Sequence, residues 1–142
     1  MSKIAVVYWS GTGNTEALSN AVVEGIKSAG VDVELFQVDD FKADDMSNYT
    51  AFAFGCPAMG DEVLEEDSFE PFFADAESKL DGVPVVLFGS YGWGGGAWME
   101  AWAERTKDAG AKLIGTVIAE NAPDDDALAE CKKYGAELAK EA

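Results

Sequence analysis

The segment at positions 10–15, Ser-Gly-Thr-Gly-Asn-Thr, has the composition of an anion-binding loop. It follows an apolar stretch and precedes a helical pattern, and at a helix N-terminus unpaired backbone N–H groups and the helix dipole attract an anion. Because no Lys or Arg occurs between Lys3 and Lys27, neutral donors would hold that anion, which suits one terminal phosphate better than a polyphosphate. The predicted phosphate contacts are Ser10, Gly11, Thr12, Gly13, Asn14 and Thr15.

The same residues exclude two common nucleotide motifs. No Lys follows the second glycine, so the segment is not a triphosphate-binding P-loop. Glu16 stands where a dinucleotide fingerprint needs its third glycine. A Ser/Thr/Gly turn with an Asn or Thr helix cap remains the structural alternative.

Two further segments, 56–62 and 90–96, carry large flat or sulfur-containing side chains, and the second is rich in glycine. Met59 lies in the first of them and Trp93 in the second. A soft thioether and an aromatic ring both pack well on a flat apolar ring system. Ordinary core packing is the alternative for both side chains.

Apolar periodicity predicts the elements that position these segments. Buried-strand patterns and helical patterns alternate along the chain, which predicts an α/β fold: a three-layer, doubly wound, five-stranded parallel sheet with helices on both faces. In such a sheet the ligand crevice lies beyond the carboxyl ends of the strands, so the three segments are expected to meet at one edge. The predicted strands are 3–9, 31–38, 51–55, 83–88 and 112–119, and the predicted helices are 15–29, a helix capped by Asp67 or Ser68 and ending near Leu80, 97–109 and 124–140, with a loop or short helix at 39–48.

Several conspicuous side chains are assigned to packing rather than chemistry. Trp98 and Trp102 lie one helical turn apart and are predicted to be core residues, and Trp9 at a strand end is predicted to be structural. Cys56 and Cys131 are 75 positions apart and match no zinc-ligand or redox-pair spacing, so they are interpreted as buried free thiols.

Composition excludes whole classes of function. The chain has 142 residues, a net charge of −17 and no histidine. So acidic a protein is repelled by nucleic acids and anionic membranes, and without imidazole the common zinc hydrolases and Ser-His-Asp catalysis are excluded. The absence of a signal-peptide pattern and of a long apolar run predicts a cytoplasmic protein with no membrane association.

Taken together, the three segments resemble the FMN-binding segments of the short-chain flavodoxins, particularly those of anaerobic bacteria. The resemblance extends over essentially the whole chain and implies a single FMN-binding domain, 1–142, with strand order 2-1-3-4-5. It implies that the 10–15 segment holds the FMN phosphate and that Pro57 and Ala58 line the ribityl chain and ring edge. It further implies that Met59 and Trp93 cover opposite faces of the isoalloxazine.

The resemblance also assigns redox roles to Gly60-Asp61 and Glu62. A peptide beside glycine reverses cheaply, so the Gly60 carbonyl is expected to turn toward flavin N5 in the protonated semiquinone. Glu62 is expected to accept a hydrogen bond from flavin N3–H. Asn121 either reaches the ribityl chain or caps a turn, and the remaining implied contacts are Asp61, Ser90, Tyr91, Gly92 and Gly94.

The function implied is a low-potential one-electron carrier that cycles FMN between semiquinone and hydroquinone, with no catalytic residues, no metal and no turnover of its own. Its acidity would raise the cost of the anionic hydroquinone and would steer redox partners with basic docking patches onto a monomer. The expected partners are reductases and ferredoxin-linked oxidoreductases. The acidic residues invoked are Asp61, Glu62, Glu65, Glu66, Asp67 and Glu70.

Three other functions fit the sequence less well than an electron carrier. An FMN-dependent enzyme such as a quinone reductase would be larger, with insertions that this chain lacks. A phosphotransfer receiver would place acidic residues at Ser10 and a phospho-acceptor Asp at Cys56. A low-molecular-weight phosphatase would need Arg at the position of Glu62.

Overall fold

A computed structural model describes residues 2–11, 13–59, 63–92 and 96–142. Within these ranges strands and helices alternate, and the connection between β2 and β3 contains two short 3₁₀ helices, Val38–Asp40 and Ala43–Asn48. No helix in the described ranges is long and apolar enough to cross a membrane. The elements are β1 Lys3–Tyr8, α1 Asn14–Ser28, β2 Asp32–Gln37, β3 Ala51–Gly55, α2 Phe69–Glu77, β4 Pro84–Tyr91, α3 Ala97–Asp108, β5 Lys112–Glu120 and α4 Asp125–Glu141.

The five strands form one parallel sheet in the order β2-β1-β3-β4-β5. This order and the helices on both faces confirm the predicted three-layer, doubly wound α/β fold. Because the order reverses beside β1, the ends of β1 and β3 open onto a crevice at the carboxyl edge of the sheet.

Each face of the sheet has its own apolar core. On one face, α1 and α4 pack on β1, β3 and β4 through side chains such as Leu18, Ile26 and Cys131. On the other face, α2 and α3 pack through Phe69, Phe73 and both helical tryptophans. Trp98 and Trp102 are each only 2% exposed, which confirms that they are core residues. Cys56 and Cys131 are both free and buried, in agreement with their interpretation.

One predicted boundary is wrong in a way that affects the site. The strand pattern ended at Phe88, but β4 continues to Tyr91 because Ser90 and Tyr91 pair with Ala119 and Glu120 of β5. Pairing with β5 therefore satisfies the backbone hydrogen-bonding groups at the start of the glycine-rich 89–96 segment, which the sequence pattern alone predicts to be a loop. Ser90 and Tyr91 are consequently held on the sheet and not on a loop.

The start of α2 also differs from the prediction. Ser68 occupies the position before the helix, but neither it nor Asp67 supplies a capping side chain. Instead the Glu65 carboxylate accepts the backbone N–H groups of residues 67, 68 and 69, each at 2.8 Å. A carboxylate suits this place because it satisfies the unpaired N–H groups and interacts favourably with the helix dipole.

Candidate functional site

A cavity of about 250 Å³ opens at the carboxyl edge of the sheet. Its wall comes from the ends of β1, β3, β4 and β5 and from the start of α1. All of the lining residues except Trp9 belong to the set predicted from the sequence. They are Trp9, Gly11, Asn14, Pro57, Ala58, Met59, Ser90, Tyr91, Gly92 and Asn121.

The 10–15 segment turns sharply into α1. Gly13 has φ of 92°, a left-handed conformation that glycine adopts without strain, and α1 begins at the next residue. The Ser10 hydroxyl oxygen accepts the N–H of Gly13 at 3.1 Å and the N–H of Glu16 at 3.3 Å. Ser10 thus braces the turn from within, and its hydroxyl hydrogen is left to donate to an anion. The predicted contact Thr12 lies outside the described residues.

Thr15 faces the sheet. It is 1% exposed, and its hydroxyl oxygen lies 3.2 Å from that of Ser90, which is itself buried. This hydroxyl pair joins the first turn of α1 to the end of β4. Two predicted site residues from distant parts of the sequence are thereby brought into contact.

The 57–59 segment offers packing surface rather than backbone donors. Pro57 has no N–H, the Ala58 N–H donates to the Ser90 carbonyl at 2.9 Å, and the Met59 N–H donates to the Val63 carbonyl at 2.9 Å. All three residues are half-buried. The predicted contacts Gly60, Asp61 and Glu62 lie outside the described residues.

The third wall joins the ends of β4 and β5. The Asn121 N–H donates to the Tyr91 carbonyl at 2.7 Å, and Asn121 has a positive φ of 56°, which asparagine tolerates better than most residues. Its side-chain oxygen lies close to Gly92, where an added Cβ would be 3.6 Å away. The Tyr91 ring packs on Trp98 with 5.5 Å between ring centroids. The predicted contacts Trp93 and Gly94 lie outside the described residues.

Comparison with known proteins identifies the family. The family model for flavodoxin matches residues 6–135. The chain belongs to the flavodoxin family. It is 50% identical over 137 residues to a flavodoxin of Megasphaera elsdenii, covering 96% of this chain and 98% of that one. It is 44% identical over 135 residues to a flavodoxin of Clostridium beijerinckii, covering 94% and 97%.

Solved structures agree with the sequence comparison. The solution structure of two-electron reduced Megasphaera elsdenii flavodoxin matches with a TM-score of 0.90 over 96% of this chain and 98% of that one. A flavodoxin from the domain Archaea matches with a TM-score of 0.87 at 32% identity, covering 98% and 97%. This flavodoxin is accordingly an FMN-binding electron-transfer protein rather than an enzyme.

Trp9 is the residue of this flavodoxin that sequence reasoning underestimated. It packs against the core, as a structural residue would, but its half-buried ring also forms part of the cavity wall. An added Cβ on Gly11 would lie 3.0 Å from the ring, so the indole rests directly on the 10–15 segment. Its position at the carboxyl end of β1, beside the crevice, was the available indication.

The chemistry of the residues that line the cavity suits FMN. Its wall includes Asn14 at the N-terminus of α1 and the Ser90 hydroxyl, which suit a phosphate, and the side chains of Trp9, Met59 and Tyr91, which suit a ring. A larger depression of about 670 Å³ lies between the 38–44 segment and α2, but it is lined mainly by charged side chains and contains none of the predicted FMN contacts.

The acidic residues near the site are not all free charges. Glu65 is 6% exposed and holds the start of α2. Glu70 forms a bidentate pair with Arg105, with both N–O distances at 2.7 Å, and Arg105 also pairs with Glu77. Hydrogen bonding to Glu70 is the main cause that raises the pKa of Arg105, so this guanidinium stays charged. Two of the carboxylates expected to act on the flavin therefore already have partners: Glu65 accepts backbone N–H groups, and Glu70 pairs with Arg105.

Proposed function

We propose that this flavodoxin binds FMN in the cavity at the carboxyl edge of its sheet and carries single electrons at low potential between redox enzymes. Residues from all three segments that the sequence predicts to bind FMN line this one cavity. The whole chain, 1–142, acts in this proposal as one FMN-binding domain.

The phosphate is assigned to the 10–15 segment. Ser10 braces that turn while keeping a hydroxyl hydrogen to donate, and Asn14 lines the cavity directly. Thr15 supports the phosphate segment indirectly, because its contact with the Ser90 hydroxyl holds the first turn of α1 against β4. All of the proposed phosphate donors are neutral, since no Lys or Arg occurs in the sequence between Lys3 and Lys27.

The ring is assigned to the wall formed by Trp9, Met59 and Tyr91. These side chains, with Pro57 and Ala58 beside them, exclude water from an apolar surface and favour stacking. Bound FMN supplies reversible one-electron transfer, and the protein supplies the enclosure. Since backbone donors of 57–59 are absent or already bonded, hydrogen bonds to the ring are assigned to the predicted contacts at 60–62, and Trp93 keeps its predicted role of stacking on the second face of the ring.

The partners are proposed to be reductases and ferredoxin-linked oxidoreductases with basic docking patches. This flavodoxin is proposed to meet them as a monomer in the cytoplasm. Charge is segregated along the sheet: the carboxyl ends of β1, β3, β4 and β5 lie in ranges with no Lys or Arg, namely 4–26, 43–78, 80–104 and 113–131. Basic residues begin two strands at the opposite edge of the sheet, at Lys3 and Lys112. The C-terminal ends of the helices lie at that same edge, and the last turns of three helices contain Lys27, Lys107 and Lys140. The cavity is therefore proposed to present an acidic rim to basic partners, since the four strand ends around it have no Lys or Arg near them in sequence.

Titration of the apoprotein with FMN and with riboflavin tests the site. FMN is expected to bind with one-to-one stoichiometry and quenched flavin fluorescence. Riboflavin lacks the phosphate and is expected to bind roughly a hundredfold or more weakly, because two or more charge-assisted hydrogen bonds are lost. Equal affinity for the two flavins would contradict the assignment of the 10–15 segment.

A further inference from the structure

The segment that follows β3 is closed at its base by a side-chain contact. The Cys56 sulfur accepts the backbone N–H of Glu65 at 3.3 Å, and both residues are buried. The two residues that flank the 57–64 segment are therefore in contact. We refer to the described part of that segment, residues 57–59 and 63–64, as the 57–64 loop, and to the Cys56–Glu65 contact as its neck.

Cys56 anchors the neck to the sheet and to α3. Its N–H donates to the Phe88 carbonyl at 3.1 Å, and its own carbonyl accepts the indole N–H of Trp98 at 3.2 Å. Gly89 packs directly on that carbonyl, and an added Cβ there would overlap it. Backbone and side chain of Cys56 are thus held from three directions.

Glu65 anchors the other side of the neck to α2. Its carboxylate accepts three N–H groups at the helix start, and its carbonyl accepts the N–H of Glu70 at 2.8 Å. A buried carboxylate with three donors resists displacement, because moving it would leave both the charge and the helix terminus unsatisfied.

A second connection lies farther along the loop. Met59 and Val63 exchange two backbone hydrogen bonds, at 2.9 and 3.1 Å. Only three residues, 60–62, separate this pair in sequence. The described part of the loop is therefore constrained at two places, the neck and the Met59–Val63 pair.

We propose that Cys56 and Glu65 are positioning residues for FMN, which hold the 57–64 loop in its binding geometry before the ligand arrives. The inference rests on the proposed FMN site, whose wall includes Pro57, Ala58 and Met59. A loop with fixed ends loses less conformational entropy on binding than one with a free base, and that difference appears as affinity.

The state of the Cys56 thiol fits this role. Burial raises its pKa well above the usual range, so the sulfur remains protonated at neutral pH. Besides accepting from Glu65, it lies 3.5 Å from the Pro57 carbonyl, to which it can donate. A hydroxyl group can make the same two contacts, which makes serine the conservative replacement.

The second buried cysteine provides a matched control. Cys131 lies in α4, on the opposite face of the sheet, and is equally inaccessible. Cys56→Ala and Cys131→Ala remove the same sulfur from two cores, and both are expected to lower the stability of the apoprotein. Only Cys56→Ala leaves the Glu65 N–H without its acceptor.

The test compares FMN affinity of the wild-type protein with that of Cys56→Ala, Cys56→Ser and Cys131→Ala. Cys56→Ala is expected to weaken FMN binding about tenfold, with Cys131→Ala within about twofold of wild type and Cys56→Ser recovering most of the loss. Equal affinities for Cys56→Ala and Cys131→Ala, or no recovery by serine, would overturn the inference. Failure of wild type to bind FMN would instead overturn the proposed site.

Amide hydrogen exchange of the wild-type apoprotein gives a readout that needs neither variant nor ligand. The Glu65 amide is expected to exchange at least as slowly as the Val63 amide, because both are held before FMN binds. Exchange of Glu65 at the rate of an unprotected amide would show that the neck is open in the apoprotein and would contradict the proposal even if Cys56→Ala does not fold.

Discussion

Glu65 and Trp9 show that a residue's role depends on what surrounds it. In sequence, Glu65 is one of six acidic residues near the flavin segments, and Trp9 is the last apolar residue before a turn. In the structure, Glu65 is buried and bonded to three N–H groups, and Trp9 stands in the cavity wall. Glu65 therefore contributes geometry, while the exposed Glu66 and Asp67 are left to contribute charge.

Replacing Trp9 with Leu is expected to weaken FMN binding roughly threefold to tenfold, because one aromatic wall of the cavity is lost. Fluorescence titration of the apoprotein measures the effect. Trp102→Phe is the control, since Trp102 is buried away from the cavity and its indole N–H has no hydrogen-bond partner among the described residues. An unchanged affinity for Trp9→Leu would remove Trp9 from the site.

Tyr49, Glu34 and Lys3 form a cluster of titratable side chains that links the second 3₁₀ helix to β2 and β1. The Tyr49 hydroxyl donates to the Glu34 carboxylate at 2.9 Å, and Lys3 pairs with the same carboxylate at 2.6 Å. Burial, and then the bond to Glu34, raises the pKa of Tyr49 from 10.0 to about 12. The 3₁₀ region is in this way tied to β1 and β2.

A pH dependence follows from that shift. The pKa of Tyr49 is near 10.0 in the unfolded chain and about 12 in the folded protein. The contribution of Tyr49 to the free energy of unfolding is therefore complete below pH 10 and is lost as the pH rises toward about 12. Urea unfolding of the apoprotein is expected to show wild type more stable than Tyr49→Phe, with the difference shrinking across this range. A difference that stays constant or grows with pH would refute the contribution.

At the scale of elements, periodicity and alternation predicted the fold, because parallel strands buried on both faces have nearly continuous apolar runs. The two errors have different causes. β4 runs to Tyr91 because β5 supplies backbone partners, and that pairing is not visible in a local window of sequence. The cap of α2 is local, but it comes from Glu65, two to four residues before the N–H groups it accepts, and not from Asp67 or Ser68.

The candidate site was predictable to a similar extent. Parallel topology brings segments after β1, β3 and β4 to one edge, and Gly11, Met59 and Gly92 from these three segments line the same cavity. Side-chain orientation was not predictable, since it depends on packing between elements. The Thr15–Ser90 pair and the ring of Trp9 both belong to that category.

At the scale of the whole molecule, the proposed docking rests on charge: the carboxyl ends of β1, β3, β4 and β5 lie in stretches of sequence without Lys or Arg. We expect the rate of reduction by a reductase with a basic docking patch to fall about tenfold or more between about 0.01 M and 0.15 M salt, as screening shortens from about 30 Å to 8 Å. Stopped-flow kinetics measure this rate. Reduction by a neutral small molecule is the control and is expected to change little, and an equal salt response in both reactions would argue against steering.

The central claim is the location of the FMN site, and a ¹H–¹⁵N spectrum of the apoprotein titrated with FMN tests it most directly. The largest amide shifts are predicted for Gly11, Gly13, Ala58, Ser90, Gly92 and Asn121, with small shifts in the larger depression at Asp39, Asp44 and Asp75. Shifts centred on that depression, or none at the carboxyl edge of the sheet, would contradict the account.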